Sequence, residues 1–274
     1  MTIHSTAIID PSATIADSAT IGPWCVIGPD VEIGADTELM NHVTVQKDTV
    51  IGRGNRFYPY TGIGIDPQDR KYDGERTTCE IGDENEIREH VTIHRGTGNG
   101  GGVTRIGHRN LLMVGCHVAH DCRLHDETVI ANQVMLAGHV CVHDGASIGG
   151  GAGIHHFATV GSCAFVGGLA RISRDVPPFM IVEGHPAEVR AVNSVALVRR
   201  GFSESDVEAI KDAFRRLFRN NGSTSEQIGL LRSEHGSVPA IQMLCDALDA
   251  SAEGTHGRAL EAGRADDKWA KVEN

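Results

Sequence analysis

Aromatic side chains are scarce, at 4% of the 274 residues, so the core cannot be built on large rings. The chain has no excess of basic charge. Its 25 lysines and arginines face 36 aspartates and glutamates, for a net charge of −11. A general nucleic-acid binder, which carries a basic field toward phosphates, is thereby excluded. The seven cysteines are odd in number and contain no CxxC pair, which argues against a disulfide framework and a zinc ribbon. No apolar run approaches the ~20 residues of a membrane span. The opening MTIHSTAIID lacks the basic region and apolar stretch of a signal peptide. A soluble cytoplasmic protein without membrane insertion is the expectation.

What is abundant is glycine, 33 residues, together with a strict aliphatic period. Ile3, Ile9, Ile15, Ile21, Ile27, Ile33, Leu39, Val45 and Ile51 follow one another at intervals of six. Phe57 and Ile63 extend the frame, and Ile81, Ile87 and Ile93 resume it. After a glycine-rich break it runs, one residue shifted, from Ile106 to Ile172. Four residues after each aliphatic stands a small or slender one, among them Cys25, Cys79, Cys116 and Cys122. These thiols read as small core residues. A helix needs apolar spacings of three and four and a lone strand a spacing of two. Period six instead fits a short strand plus a turn, three such units making one triangular coil. The expected fold is all-β, a left-handed parallel β-helix of hexapeptide repeats over residues 1–189, with a small α-helical domain over 190–274.

Two insertions leave the coil, near residues 64–78 and 96–102. Long loops on a rigid scaffold tend to carry function, although the glycine loop also serves as slack for the shift of frame. The repeat ends at Asp175-Val176-Pro177-Pro178. Ser203 with Asp206 forms a helix-capping pattern, and apolar residues at helical spacing lead to a stop at Asn221-Gly222. A second helix opens near Ser223 and a third covers 237–250. The last twenty residues are polar and expected to fray.

Histidines crowd the second repeat run: His117, His120, His125, His139, His143, His155 and His156. With 18 residues per coil, His120, Gly138 and His156 fall in one column, and Asp121 and His139 in the next. An isolated surface histidine signifies little, and His125 and His143 are read so. Several on one edge beside an aspartate indicate a site.

These residues carry a resemblance. The segments Ile93–Thr97, Asn110–Cys122, Pro67–Tyr72, Leu136–His139 and Arg199–Ser203 resemble the UDP-N-acetylglucosamine O-acyltransferases of lipid A biosynthesis, over nearly the whole chain. The hexapeptide pattern alone defines only the superfamily; HVAHDC and PQDxKY in this order are far more specific. The resemblance implies transfer of a (3R)-hydroxyacyl chain from acyl carrier protein to the glucosamine 3-position of UDP-N-acetylglucosamine. It implies no cofactor beyond the carrier's phosphopantetheine thioester, no metal, and a homotrimer in which the insertion of one subunit reaches the histidines of the next. His120 matches the general base, a task suited to an imidazole. Asp121 matches its orienting group, and the Gly138 N–H an oxyanion donor. Lys71 and Arg199 match anion-binding groups. Gln68, Asp69, His117, His139, His155 and His156 match contacts to acyl chain and sugar, and Gly168 falls at the chain-length ruler. Two positions depart from the family: His156 replaces a more familiar glutamine, and Gly184-His185-Pro186-Ala187 replaces a GN-containing turn.

Three rivals are weighed. A zinc hydratase of the same fold uses three histidines; His120 and His125 have the spacing of two, but a third, expected near Glu84, is lacking. An N-acyltransferase of the same pathway carries a separate domain before its helix, for which a repeat beginning at Ile3 leaves no room. Acetyl-CoA-dependent sugar acetyltransferases lack the PQDxKY insertion. Acyl length, and a hydroxyl or amine at the sugar 3-position, are left open.

Overall fold

A computed structural model describes residues 2–220 and 222–264. In it each hexad folds as a strand of about two residues followed by a tight turn. Three hexads close a coil, so every strand pairs in parallel with the strand one coil on: Ile27 with Val45, Leu112 with Ile130. The coils stack into three sheets of 11, 9 and 8 strands, the faces of a left-handed parallel β-helix. The period-six aliphatics point inward, and Leu39, Val45, Phe57, Ile63, Ile130 and Leu136 are fully buried. A two-residue strand has no stability alone, and each coil buries its apolar face only against its neighbours.

From Trp24 on, most corners of the coil take a residue in the left-handed backbone region. Asp30, Asp36, His42 and Asp48 are successive examples. Side chains other than glycine pay steric strain there, and Asp, Asn and His tolerate it best. The predicted core cysteines Cys25, Cys79, Cys116 and Cys122 are all fully buried. Burial pushes the thiols of Cys79, Cys116 and Cys122 up to about 12, so they stay protonated and inert. Inside another corner, Asn55, Asn85 and Asn110 form a buried ladder. Asn55 Oδ1 accepts from the Asn85 amide N–H, and Asn85 Oδ1 from that of Asn110.

The insertions explain the frame. Ile63 pairs with Ile93, 30 positions on, and Ile93 with Val118, 25 positions on. Thirty is a multiple of six, so the first insertion returns the chain in frame. Twenty-five is one residue over, which is the observed shift.

The β-helix is capped by an antiparallel hairpin, Met180–Gly184 against Ala187–Val192, which runs across the expected junction at 189/190. Four helices follow: α1 (Ser194–Arg199), α2 (Glu204–Phe218), α3 (Thr224–His235) and α4 (Pro239–Glu253). The capping pattern at Ser203 and Asp206 forms a reciprocal capping box at the start of α2. Ser223 does precede α3, but its side chain makes no capping bond. Of the expected stop, Asn221 lies outside the described residues. The tail differs from the expectation of fraying. Ala259–Gly263 form a 3-10 turn, the Arg258 guanidinium donates to the Ser173 carbonyl at 2.6 Å, and the Ala259 N–H donates to Asp175 at 2.8 Å. These bonds anchor the tail to the last coil; residues 265–274 lie outside the described residues.

Candidate active site

The corner joining the second and third sheets carries the histidines. The His139 N–H donates to the His120 carbonyl, and the Phe157 N–H to the Gly138 carbonyl, both across one coil. The columns expected from the period are therefore present. Asp121 and His139 occupy the left-handed region, as most corner residues do from Trp24 on; their backbone is a demand of the fold and not a peculiarity of the site.

His120 Nδ1 lies 2.8 Å from Asp121 Oδ2. A carboxylate only accepts, so this bond places the proton on Nδ1 and leaves the Nε2 lone pair available. Asp121 is itself held from three sides. The Thr97 N–H donates to Oδ1 at 3.0 Å and the Thr97 hydroxyl to Oδ2 at 2.7 Å, while the Asp121 N–H donates to the Thr104 hydroxyl at 2.8 Å. Thr97 opens the glycine loop, so that insertion is more than slack. A side chain at Gly100 would place its Cβ 2.1 Å from the Asp121 carboxylate; the loop closes on the aspartate because glycine stands there. Gly138 is required for the same steric reason, since a Cβ would stand 2.7 Å from His120 Nε2. Among the described residues no backbone carbonyl accepts the Gly138 N–H.

The first insertion covers this corner. Gln68, Asp69, Arg70 and Lys71 line a cleft of about 320 Å³ with His120, Gly138, His139, His156, Phe157 and Arg264. Asp69 Oδ2 stands 4.0 Å from His120 Nε2 and 3.5 Å from Lys71 Nζ. Within the single chain the insertion thus lies against that chain's own His120. The fully buried Arg95 fastens its base, donating to the Gly64 carbonyl, Asp66 and the Tyr72 hydroxyl. The two insertions also touch, the Gly98 N–H donating to Glu75 at 2.8 Å.

Burial holds several imidazoles below their ordinary range. For His139 burial outweighs the opposing Asp121 carboxylate, and for His117 it acts together with His120. His156 is lowered to about 4 by burial and by His155. His94 is lowered to about 4 by burial and by His117. Burial therefore favours the neutral form of His139 and His156, and Lys71, Arg70 and Arg264 bring cationic side chains to the cleft.

Of the residues singled out in the sequence, His120, Asp121, Gly138, His139, His156, Gln68, Asp69 and Lys71 come together. His117 lies on the adjoining strand, its Nδ1 2.8 Å from the Thr92 hydroxyl and its ring edge-on to His94 at 4.9 Å. The His155 ring packs tilted against His156, with centroids 3.9 Å apart. Gly168 and Arg199 are not brought there by the single chain. Gly168 sits beside Gly150 on another corner, and Arg199 is exposed at the end of α1. Sequence reasoning missed Thr97, Arg95, Phe157, Glu261 and Arg264. Thr97 lies within a quoted motif, but its partner is 24 positions away; Glu261 and Arg264 lie in a tail without any periodic signal.

The spacing considered for a zinc hydratase does not become a ligand set. Among the described residues His120 and His125 share no cluster: His120 groups with Asp121 and His139, and His125 with Cys141 and His143 on the third sheet, each group with ligand atoms close enough together to hold a metal ion.

A coil of hexapeptide repeats with a carboxylate-oriented histidine in a cleft also lined by Arg70, Lys71 and Arg264 defines a hexapeptide-repeat acyltransferase. Residues 175–256 match the second domain of UDP-N-acetylglucosamine O-acyltransferases, and residues 1–35 match bacterial transferase hexapeptide repeats. The chain is 50% identical over 179 residues, 65% of its length, to an acyl-[acyl-carrier-protein]–UDP-N-acetylglucosamine O-acyltransferase of Synechocystis, of which that stretch spans 64%. It is 45% identical over 222 residues to the Gloeothece citriformis protein of the same name, covering 81% of this chain and 80% of that one. The crystal structure of the UDP-N-acetylglucosamine O-acyltransferase of Moraxella catarrhalis superposes with a TM-score of 0.87 at 45% identity, over 90% of this chain and 96% of that one. The protein belongs to the acyl-[acyl-carrier-protein]–UDP-N-acetylglucosamine O-acyltransferase family.

Proposed function

We propose that this chain transfers a (3R)-hydroxyacyl group from acyl carrier protein to the 3-hydroxyl of UDP-N-acetylglucosamine, the first step of lipid A biosynthesis, with His120 as general base. The observation that carries the mechanism is the 2.8 Å contact between His120 Nδ1 and Asp121 Oδ2, which presents Nε2 to the cleft as a proton acceptor. The sugar hydroxyl oxygen attacks the thioester carbonyl carbon while Nε2 takes the hydroxyl proton. The Gly138 N–H donates to the oxyanion of the tetrahedral intermediate. Collapse breaks the carbon–sulfur bond, and the imidazolium returns its proton to the departing phosphopantetheine thiolate. The products are the 3-O-acyl sugar nucleotide and the free carrier thiol, with no net change in His120.

Lys71 and Asp69 position the substrates, and His139, His156 and Gln68 line the sugar and acyl sites. Gly168 and Arg199 lie off this corner. Their family roles in acyl length and anion binding are met by a homotrimer in which a neighbouring subunit completes each cleft. No metal or organic cofactor takes part, and the reaction proceeds in the cytoplasm.

The test is an assay of hydroxyacyl carrier-protein thioesters against UDP-N-acetylglucosamine. Wild-type protein is expected to form the acylated sugar nucleotide. His120→Ala is expected to lower kcat by ~10²–10⁴, the usual contribution of a general base, with an unchanged unfolding temperature. Retained activity in that variant overturns the mechanism.

A further inference from the structure

The cleft has one wall that neither the repeats nor the insertions supply. It is the tail after α4, beyond the last residue matched to the family's second domain. Its course over the β-helix is determined by a buried ion network. Arg258, only 6% exposed, bonds to the Ser173 carbonyl and to Glu261, whose carboxylate lies 3.0 Å from the guanidinium. Glu261 also lies 3.0 Å from Arg264 and 3.9 Å from His156 Nε2. Such a buried network adds little net stability, because the cost of desolvating its charges offsets their attraction. What the network does is hold a short irregular segment in a single place. That place sets Arg264 at the mouth of the cleft, its guanidinium 5.5 Å over the Phe157 ring and in the same lining as Lys71 and His120.

We propose that Arg264 is a phosphate-binding residue of the acyl-transfer site, held in position by Glu261. The inference rests on the reading under Proposed function, because both substrates named there carry phosphate: a diphosphate in the nucleotide, a phosphodiester in the carrier's phosphopantetheine. A guanidinium matches phosphate oxygens with paired, charge-assisted donors. It lines the same cleft as Lys71, so an anion entering there meets two cationic side chains. Glu261 is a positioning residue: it keeps Arg264 and His156 in one arrangement and touches no substrate.

The test is steady-state kinetics of the full chain with each substrate varied in turn, for wild type, Arg264→Ala, Arg264→Lys and Glu261→Gln. Arg264→Ala is expected to raise KM about tenfold for the substrate it grips, as loss of one charge-assisted bond does, with kcat nearly unchanged. Arg264→Lys is expected to recover part of the loss, and Glu261→Gln to shift KM in the same direction. A rise confined to UDP-N-acetylglucosamine assigns the diphosphate; a rise confined to acyl carrier protein assigns the phosphopantetheine. Unchanged KM for both substrates overturns the proposal, as does a fall in kcat alone. Wild-type protein without transfer activity overturns the functional reading instead. Calorimetric titration with UDP-N-acetylglucosamine and with acyl carrier protein, which needs no turnover, still reads Arg264 in that case.

Discussion

At the scale of single residues, the site is governed by where protons sit. Asp121 selects one tautomer of His120, so Asp121→Asn is expected to lower kcat by ~10²–10⁴ while leaving KM and the fold intact, an amide being able to favour the unproductive tautomer. Activity within a few-fold of wild type would remove Asp121 from the mechanism. His94 makes a second prediction, about stability. It is 4% exposed with its Nδ1 unpartnered, and its pKa falls from 6.5 to about 4. The unfolded chain therefore takes up this proton at a higher pH than the folded chain does. The contribution of neutral His94 is intact above pH 6.5, declines as pH falls toward 4, and is lost below that. The unfolding temperature is expected to drop over this window, and less so in His94→Gln. Equal drops in the two proteins would show that His94 is not the group responsible. Cysteines were legible at this scale because a slender residue at a fixed place in each hexad has one structural use. Arg95 was not, because nothing local in a sequence announces that a guanidinium will be buried against a loop 30 positions earlier.

At the scale of elements, the two insertions act as parts of the site. The glycine loop closes on Asp121 through Thr97, with room for no side chain at Gly100. Gly100→Ala is expected to displace the loop and reduce kcat, with little effect on the unfolding temperature because the loop is outside the core. Full activity would mean that the Thr97–Asp121 bond does not matter. Glycine in the helical domain behaves in the opposite way. Gly229 lies inside α3, exposed and with nothing within 4 Å of its absent Cβ. Gly229→Ala is expected to stabilise the protein by about 0.5–1 kcal/mol in denaturant unfolding, from helix propensity alone. The strands, corners and capped α2 were read from sequence because each has a local signature. The hairpin at Met180–Val192 and the anchored tail were not, since their order depends on the coil they pack against.

At the scale of the whole molecule, the β-helix is a rigid stack in which side chains far apart in sequence acquire fixed neighbours. The mechanism proposed for this site uses no metal. Prolonged dialysis against a chelator is expected to leave the transfer rate unchanged, and a loss reversed by zinc would restore the hydratase reading. The positions of Gly168 and Arg199, away from the histidine corner, bear on assembly. Light scattering is expected to give three chains per particle, and a monomer active at every concentration would exclude a cleft completed by a neighbour.

The amino-acid sequence by itself determined the coil. A period of six permits one arrangement of inward aliphatics, and that period stacks His120, Gly138 and His156 by counting alone. The motifs determined which family the column belongs to. Only the tertiary structure decided which loop holds Asp121, that the first insertion lies against its own chain's His120, and that the tail brings Glu261 and Arg264 to the cleft. The reason is physical. Repeats encode their contacts in spacing, whereas a loop or a tail finds its place through a few long-range hydrogen bonds and ion pairs whose partners no local pattern specifies.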